Sequence, residues 1–309
     1  MAEKKAASSS EKKVEPPPPS AIAALREAVK RYDCEGDDEL VYATQHSYVF
    51  KNFSRRFGRL IAIKLVLTET IPIEVVQKFI SREVLVSQNV IHPHLLAALD
   101  VATLETVLII ATPFCKRGNL ITLLKEKEER KFSDVEAARI FRQLIEAVNY
   151  LHKRNVAHRD IKMENILLTE DDDVKLIDYG FAIRLTNRRQ RAKSRCGTKG
   201  YMAPSIVSGK PYDPFATDYF ACGFVLHTLL TGKFASKFPI ASEKYFSSLK
   251  AFQLVSSLLN SSDEERPNYE QIISSEWMQQ YAPNWVFSNH PTALFEVVND
   301  QNEESAINC

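Results

Sequence analysis

Residues 158–180 read HRDIKMENILLTEDDDVKLIDYG, and this stretch decides the fold. Near its two ends lie the aspartates Asp160 and Asp178, and the first half also contains the amide of Asn165 and the ammonium group of Lys162. Between the aspartates, an apolar run, an acidic turn and a second apolar run predict a short hairpin. Two carboxylates, an amide and a lysine at such offsets are the groups that metal-assisted phosphoryl transfer requires. The stretch therefore predicts a site for that chemistry.

The composition is that of a globular protein with one large domain or two lobes, because 45% of the 309 residues are hydrophobic and 26% are charged. A formal net charge of +1 gives no global attraction to nucleic acid or to an acidic membrane, so we expect neither as a partner. No apolar run approaches the roughly 18 residues of a membrane span, and the polar N-terminus does not resemble a signal peptide. Five scattered cysteines suit a reducing compartment, so we predict a soluble, cytoplasmic protein.

The pattern along the chain predicts four parts. Residues 1–39 form a tail whose first half is polar, rich in proline and disordered. An amphipathic piece over residues 20–32 is a candidate helix that docks either on its own domain or on a regulatory partner. Residues 40–113 form a small lobe, and residues 114–283 form a larger lobe. Residues 284–309 are a polar tail and a second candidate for a regulatory contact.

The small lobe is predicted to contain an ion pair. Residues 60–67 read LIAIKLVL, a buried strand that is interrupted by Lys64. A helical pattern over residues 74–89 places Glu83 on its apolar face. A buried charge is costly unless it is paired. We therefore predict that Lys64 and Glu83 form an ion pair with each other. The alternative is an edge-strand lysine that reaches solvent.

The larger lobe is predicted to be mainly helical. Residues 107–111 read as another buried strand, and a turn-rich connector over residues 112–118 follows it. Ser133 and the residues after it begin a helix with apolar residues at a spacing of 3.6, which leads to His158. Residues 219–230 are nearly all apolar and predict a buried helix.

Over roughly residues 40–283, the chain resembles the eukaryotic protein kinase catalytic domain of Ser/Thr type. The sequence of the catalytic loop and the run Cys196-Gly197-Thr198 are similar to those of the calmodulin-dependent and testis-specific serine kinase branch. The resemblance implies an α+β, bilobal fold with a small antiparallel-sheet lobe and a larger helical lobe. The residues that carry it are Val49, Ala62, Lys64, Glu83, Thr112, His158, Arg159, Asp160, Asn165, Asp178, Tyr179, Gly180, Gly197, Thr198, Tyr201, Ala203, Pro204, Asp218 and Arg266.

The resemblance implies roles for the first stretch. Asp160 accepts the proton of the substrate hydroxyl, and Lys162 offsets charge on the transferring phosphoryl group. Asn165 and Asp178 hold Mg²⁺. The implied activity is transfer of the γ-phosphate of ATP to Ser or Thr hydroxyls of protein substrates.

The resemblance also implies a nucleotide site in the small lobe. Lys64 holds the α- and β-phosphates and is oriented by Glu83. Val49 and Ala62 match positions at the nucleotide. Thr112 fits the position at the back of the adenine pocket.

The phosphate-binding loop departs from the family pattern. Tyr42, Thr44 and Ser47 occupy the places of the three glycines. Side chains there restrict the backbone and hold its N–H groups away from phosphate, which could lower ATP affinity by about a hundredfold. A pseudokinase scaffold with weak or absent nucleotide binding is therefore the alternative. The retention of every charged group that acts on the transition state favours an active kinase.

Two further departures concern packing. Ser205 stands where the family has the glutamate of its Ala-Pro-Glu run, and that glutamate normally pairs with the arginine that matches Arg266. Arg266 therefore needs another partner or solvent. Phe220 stands where the family commonly has tryptophan, which changes packing.

Regulation and substrate choice are predicted from neighbouring residues. Ser194 lies where the family carries an activating phosphate, which could pair with Arg159, although the basic run around it could equally be solvated surface. Thr198 and Glu164 are candidate substrate residues. Glu164 either favours substrates with basic residues or pairs within the chain, and Asn119 occupies a second, usually acidic, recognition position.

Overall fold

The computed structural model describes residues 16–73, 76, 80–234 and 243–283, which belong to two compact units. The sheet unit comprises the chain up to Gln77 and residues 98–114, and the helical unit comprises residues 78–97 and the chain from Cys115. Residues 78–97 thus cluster with the helical unit, although the sequence pattern placed them in the small lobe. Their Val86 packs against the core of that unit, and Val90 is part of it. The four-part domain division stays a prediction.

The sheet unit is built on an antiparallel sheet with the strand order β1-β2-β3-β5-β4. The strands are β1 (Cys34–Ala43), β2 (Ser47–Ser54), β3 (Arg59–Leu67), β4 (Asp100–Leu104) and β5 (Val107–Pro113). The predicted buried strands over residues 60–67 and 107–111 are confirmed as β3 and β5. The first strand begins at Cys34, six residues before the predicted start at Leu40, because its early part pairs with the end of β2 across irregularities in the register.

A helix covers one face of this sheet. Helix α1 (Pro19–Arg31) packs its alanine-rich side, including Ala24, on the fully buried side chains of Ile61 and Ile63. The small alanine side chains allow the helix to approach the sheet closely. At its C-terminal end, Arg31 Nε donates to the Asp100 carboxylate at 2.6 Å. The candidate helix over residues 20–32 therefore docks on its own domain.

The helical unit contains the remaining helices and three small strand pairings. Its helices are α2 (Ser81–Asn89), α3 (Leu120–Glu126), α4 (Asp134–Lys153), α5 (Pro204–Val207), α6 (Pro214–Thr231), α7 (Leu249–Leu258), α8 (Tyr269–Ile273) and α9 (Glu276–Tyr281). Its strands are β6 (Gly118–Asn119), β7 (Val156–Ala157), β8 (Ile166–Leu168), β9 (Val174–Leu176) and β10 (Ile183–Arg184). Strands β8 and β9 pair antiparallel and form the predicted hairpin between the two aspartates.

The two helices predicted for the larger lobe are confirmed. Ser133 caps α4 in a reciprocal arrangement with Glu136, which satisfies backbone donors at the first turn. Helix α6 is buried along nearly all of its length, begins at the Asp213 cap and ends at Gly232 with φ of 68°. An α+β fold with a sheet unit and a mainly helical unit therefore agrees with the expectation.

Several predictions fall partly outside the described residues. These are the disordered stretch at the N-terminus, most of the helix turn over residues 74–79, and the polar tail over residues 284–309. In the part of the chain that the structure describes, no helix combines the length and the apolar character that crossing a membrane requires.

Arg266 forms an ion pair with Asp263, which replaces the glutamate that is absent at position 205. Its buried guanidinium donates to Asp263 Oδ1 at 2.9 Å and to the carbonyl oxygen of Asn260 at 2.7 Å. Ser205 Oγ donates to the same Asp263 oxygen at 2.8 Å. The ring of Phe220 lies 5.0 Å from the guanidinium. Asp263 thus supplies the carboxylate that the family usually has at the position of Ser205, and Arg266 still forms an ion pair.

Candidate active site

Asp160 lies at the centre of a hydrogen-bond network in the helical unit. Its Oδ1 accepts from the Thr198 backbone N at 2.9 Å and from the Thr198 hydroxyl at 2.7 Å. Its Oδ2 accepts from Lys162 Nζ at 2.7 Å and from Asn165 Nδ2 at 3.1 Å. Four donors therefore fix the direction of this nearly buried carboxylate. Four residues that the sequence singled out are brought together here.

Lys162 connects two members of the network. Besides Asp160, its ammonium group donates to Thr198 Oγ1 at 2.9 Å. About a fifth of the side chain remains exposed, so the charge lies at the surface of the network. A cation in this place can stabilise negative charge that develops beside Asp160.

The backbone around Asp160 is held by Asp218, which lies on α6 and is almost fully buried. Its carboxylate accepts from the backbone N of His158 and the backbone N of Arg159, each at 2.8 Å. It also lies 2.8 Å from Nε2 of His152. Arg159 has a φ of 64°, a conformation that costs about 1–3 kcal/mol unless its surroundings enforce it. The buried carboxylate provides that enforcement.

His152 was missed by the reasoning from sequence. It is fully buried on α4, and burial lowers its pKa, although the neighbouring Asp218 carboxylate opposes this shift. The 2.8 Å contact between His152 Nε2 and Asp218 Oδ2 holds the carboxylate in place from the side of α4. Its position six residues before His158 was the one signal in the sequence that could have indicated it.

Asn165 and Asp178 provide oxygen donors that fit a magnesium ion. The Asn165 Nδ2 group donates to the backbone O of Asp160 at 2.9 Å and to its Oδ2, which leaves the amide Oδ1 as an acceptor. Asp178 has a φ of 67°, and its Oδ1 lies 3.4 Å from the backbone N of Gly180. Mg²⁺ prefers one or two carboxylates together with phosphate, carbonyl and water oxygens. Within the described residues no cluster of three or more His, Cys, Asp or Glu side chains suits a metal, so the fit depends on this pair.

The tyrosine of the Asp-Tyr-Gly motif is accommodated by backbone acceptors. Tyr179 is buried, and its hydroxyl lies 3.3 Å from the carbonyl oxygen of Leu96 and 3.1 Å from that of Leu176. Burial raises the pKa of Tyr179, and the carboxylate of Glu83 raises it further. Glu83 therefore lies near this motif within the helical unit. The extra hydroxyl relative to the family's phenylalanine has partners, so it does not destabilise the core.

Ser194 lies among basic side chains. Arg159 Nη1 donates to Ser194 Oγ at 2.7 Å, and its Nε donates to the carbonyl oxygen of Phe181 at 2.8 Å. The Tyr212 hydroxyl donates to the Ser194 carbonyl at 2.9 Å. Burial lowers the pKa of Arg82, and the charge of Arg159 lowers it further, which places a second guanidinium nearby. Arg82 was also missed from the sequence.

The segment between Ser194 and Thr198 approaches the catalytic loop closely. Gly197 has a φ of 104°, and a Cβ atom built there would lie 2.7 Å from the carbonyl oxygen of Arg159. A larger residue would push the segment away from the loop. This close approach allows Thr198 to reach Asp160.

The predicted nucleotide residues of the sheet unit share one face. Lys64 on β3 is paired with Val49 on β2 and with Ile110 on β5, and Ala62 is paired with Thr112. Side chains alternate along a strand, so all five project from the face opposite to the one that α1 covers. Lys64 and Glu83 belong to different units, and their ion pair stays a prediction.

The glycine-free loop forms a turn that is closed by its own hydrogen bonds. The Thr44 backbone N donates to the Ser47 carbonyl at 2.8 Å. The Thr44 hydroxyl oxygen accepts from the backbone N of His46 at 3.2 Å and of Ser47 at 3.1 Å. Tyr42 lies beside the turn and is 62% exposed. Backbone donors that such a loop could direct at phosphate are therefore occupied within the chain.

The two predicted recognition residues have different surroundings. Glu164 is exposed, and its carboxylate helps burial to raise the pKa of Tyr201. Asn119 caps α3, because its side-chain oxygen accepts from the backbone N of Thr122 at 3.0 Å. This capping role accounts for an asparagine at position 119 and requires no contact between Asn119 and substrate.

Comparisons with known proteins agree with this geometry. NUAK family SNF1-like kinase 1 from Mus musculus is 34% identical over 183 residues, which are 59% of this chain and 27% of that protein. CBL-interacting protein kinase 11 from Oryza sativa subsp. japonica is 30% identical over 237 residues, 72% of this chain and 47% of that protein. Serine/threonine-protein kinase GIN4 from Saccharomyces cerevisiae is 38% identical over 154 residues, 50% of this chain and 13% of that protein. The chain thus spans less than half the length of these relatives.

A family model described as the protein kinase domain matches residues 44–278. This range contains strand β3 that carries Lys64, the catalytic loop around Asp160 and the buried helix α6. The match covers well over half of the chain. The chain therefore belongs to the protein kinase domain family, and its relatives include kinases of the Ser/Thr type.

Proposed function

We propose that the protein is a serine/threonine kinase that transfers the γ-phosphate of ATP to hydroxyls of protein substrates. The observation that carries the proposal is the network in which Thr198, Lys162 and Asn165 all donate to the Asp160 carboxylate. Such a carboxylate can accept the proton of a Ser or Thr hydroxyl as that hydroxyl attacks phosphorus. The family to which the chain belongs supports the same activity.

In this proposal the remaining residues hold and stabilise the reacting groups. Lys162 offsets negative charge on the phosphoryl group in transit. Asn165 and Asp178 hold Mg²⁺, which supplies positive charge to the phosphates when it is bound. Lys64, together with Val49, Ala62 and Thr112 on one sheet face, binds the nucleotide, and Glu83 orients Lys64.

Substrate choice is proposed from the surroundings of Asp160. Thr198 and Lys162 lie against the base and suit an aliphatic hydroxyl. Glu164 is exposed four residues after Asp160, so it can attract a basic residue of the substrate. Protein substrates, a cytoplasmic location and a regulatory protein that binds either terminal tail belong to the same proposal.

A phosphotransfer assay tests the proposed function. The full chain is incubated with Mg-ATP and peptides that differ only in having Ser, Thr or Tyr as acceptor, each with and without arginine near the acceptor. We expect phosphate on Ser and Thr and little on Tyr, and the paired peptides with and without arginine measure what Glu164 contributes to KM. Absence of turnover with every acceptor, while circular dichroism shows a folded protein, would reject the proposed activity.

The internally bonded loop favours a second candidate function, a scaffold that retains the fold without turnover. Backbone N–H groups that already donate to Thr44 and Ser47 are less able to bind phosphate. A thermal-shift titration with Mg-ATP separates a scaffold that binds nucleotide from one that does not, because ligand binding to the folded state raises the melting temperature.

We expect the Thr44→Gly variant to bind ATP more tightly than the unmodified chain. Removal of the hydroxyl releases the backbone donors of His46 and Ser47, and glycine allows the loop to approach phosphate. Two released donors at about 1 kcal/mol each predict roughly thirtyfold tighter binding, measured by calorimetry. Thr44→Ser keeps the hydroxyl and is the matched control. Equal affinities of the two variants would contradict this role of the turn.

We expect phosphorylation of Ser194 to raise activity, because a phosphate there could pair with Arg159 and Arg82 and order the segment. The Ser194→Ala variant should lose about tenfold or more of the activity of the phosphorylated chain. Mass spectrometry identifies the modified residue, and Ser208→Ala, at an exposed serine outside this cluster, is the control. Full activity of Ser194→Ala would reject the switch.

A further inference from the structure

The segment that follows the Asp-Tyr-Gly motif carries many positive charges and no negative ones. No Asp or Glu occurs between Asp178 and Asp213. Six basic side chains of the segment, all exposed, are Arg184, Arg188, Arg189, Arg191, Lys193 and Arg195. Lys199 is a seventh exposed cation just beyond them. We call residues 184–199 the basic segment.

Carboxylates within the described ranges neutralise little of this charge. In the described residues, Arg191 is the member of the basic segment that forms an ion pair, with Asp213 at 3.4 Å. The guanidinium of Arg188 lies instead over the ring of Phe215 at 3.8 Å. The exposed carboxylate of Glu164 and the nearly buried carboxylate of Asp160, which accepts from Thr198, also lie near this part of the site. The basic segment therefore presents a positive surface to solvent.

The basic segment is anchored through its backbone, so its charges have defined positions. Ala192 and Tyr212 exchange backbone hydrogen bonds of 3.0 and 2.9 Å. The Tyr212 hydroxyl donates to the carbonyl oxygen of Ser194, and Thr198 donates to Asp160. Anchored groups lose less conformational entropy on binding than groups of a disordered loop. A recognition surface benefits from this arrangement.

The basic segment also lies beside the proposed reacting hydroxyl. Lys199 directly follows Thr198, whose backbone N and hydroxyl both donate to Asp160. Consecutive Cα atoms are about 3.8 Å apart, so a lysine side chain at position 199 reaches the surroundings of the acceptor. An extended substrate advances about 3.3 Å per residue. Acidic residues within about three positions of the acceptor can therefore meet Lys199 or its basic neighbours.

We propose that the basic segment binds acidic side chains flanking the acceptor Ser or Thr of the protein substrate. The inference rests on the proposed function and specifies the substrate class of the same site. Glu164 favours a basic residue, whereas the far more numerous charges of the basic segment favour acidic ones. Substrates with acidic residues next to the acceptor are therefore the class that the surface fits.

Steady-state kinetics with matched peptides tests the proposal. Three serine peptides differ only in whether the flanking residues are Asp, Asn or Lys, and kcat and KM are measured for the full chain. We expect KM for the Asp peptide to be about tenfold below that for the Asn peptide, and the difference to shrink as salt screens the charges. In the Arg195→Glu/Lys199→Glu variant the preference should reverse toward the Lys peptide. Lys125→Glu, an exposed cation on α3, is the control and should keep the preference for Asp.

Equal KM values for the Asp and Asn peptides, or a preference that survives both charge reversals, would overturn the proposal. A binding experiment tests this proposal independently of the proposed function. Fluorescence anisotropy of the labelled Asp peptide measures binding and requires no phosphate transfer. Weaker binding of the Asp peptide to the double variant supports the proposed acidic-residue binding by the basic segment, even if the chain transfers no phosphate. Tighter binding of a DNA duplex or of phosphatidylserine vesicles than of the Asp peptide would overturn the proposal in favour of another partner.

Discussion

The Asp160→Asn variant is expected to lower kcat by about 10²- to 10⁴-fold, the range that a positioned general base contributes. The carboxylate accepts from Thr198, Lys162 and Asn165, so an amide in its place presents hydrogens to at least one of these donors. The variant therefore loses both the proton acceptor and part of the network that orders the loop. A 10³-fold loss corresponds to about 4 kcal/mol of transition-state stabilisation.

The measurement compares kcat, KM for ATP and the unfolding transition of this variant with those of the unmodified chain. Asp171→Asn is the matched control, because Asp171 is an exposed aspartate in the neighbouring turn. We expect the control to keep its rate and the Asp160 variant to keep its affinity for nucleotide. A rate within about threefold of the unmodified chain would show that Asp160 is not the base.

The Asp263→Asn variant is expected to lose about 3–5 kcal/mol of unfolding free energy, because it removes the carboxylate that pairs with the buried guanidinium of Arg266. Burial already lowers the pKa of Arg266, and Asp263 opposes that shift. The carboxylate also accepts from Ser205 Oγ and from the backbone N of Asp213. The expected loss corresponds to a fall in melting temperature of roughly 10 °C.

A carboxylate exchange separates the ion pair from other effects of the substitution. The double variant Ser205→Glu/Asp263→Ser moves the carboxylate to the position where the family usually has it, so most of the lost stability should return. Ser205→Glu alone places a second carboxylate beside Asp263 and should destabilise the protein through repulsion of like charges. Glu264→Gln, at an exposed neighbour, is the control. Denaturant unfolding that is unchanged by Asp263→Asn would contradict the role given to this pair.

The catalytic loop could be predicted from sequence because its parts are close in the chain. Asp160, Lys162 and Asn165 occupy a single turn-rich stretch, and the resemblance to the kinase family assigned them to one site. The buried strand around Lys64 and the apolar helix α6 were equally accessible, since the hydrophobic pattern reports burial directly.

Contacts between residues that are far apart in the chain could not be predicted from the sequence. Asp263 lies 58 residues from Ser205, and nothing in its local sequence indicates that it replaces the family's glutamate. The self-bonded turn at Thr44 depends on the orientation of one hydroxyl, which composition does not specify. For α1, the amphipathic pattern predicted a buried side without identifying the surface that buries it.

The N-terminal helix changes where the folding unit of this protein kinase domain begins. The family match starts at residue 44, whereas Ala24 on α1 already covers the sheet face formed by Ile61 and Ile63. A fragment trimmed to the matched region would lose α1 and β1, exposing this apolar face and an unpaired edge of β2 to other molecules. For expression or crystallisation, the homology boundary and the physical boundary of the domain are therefore about 25 residues apart, as the start of α1 at Pro19 shows.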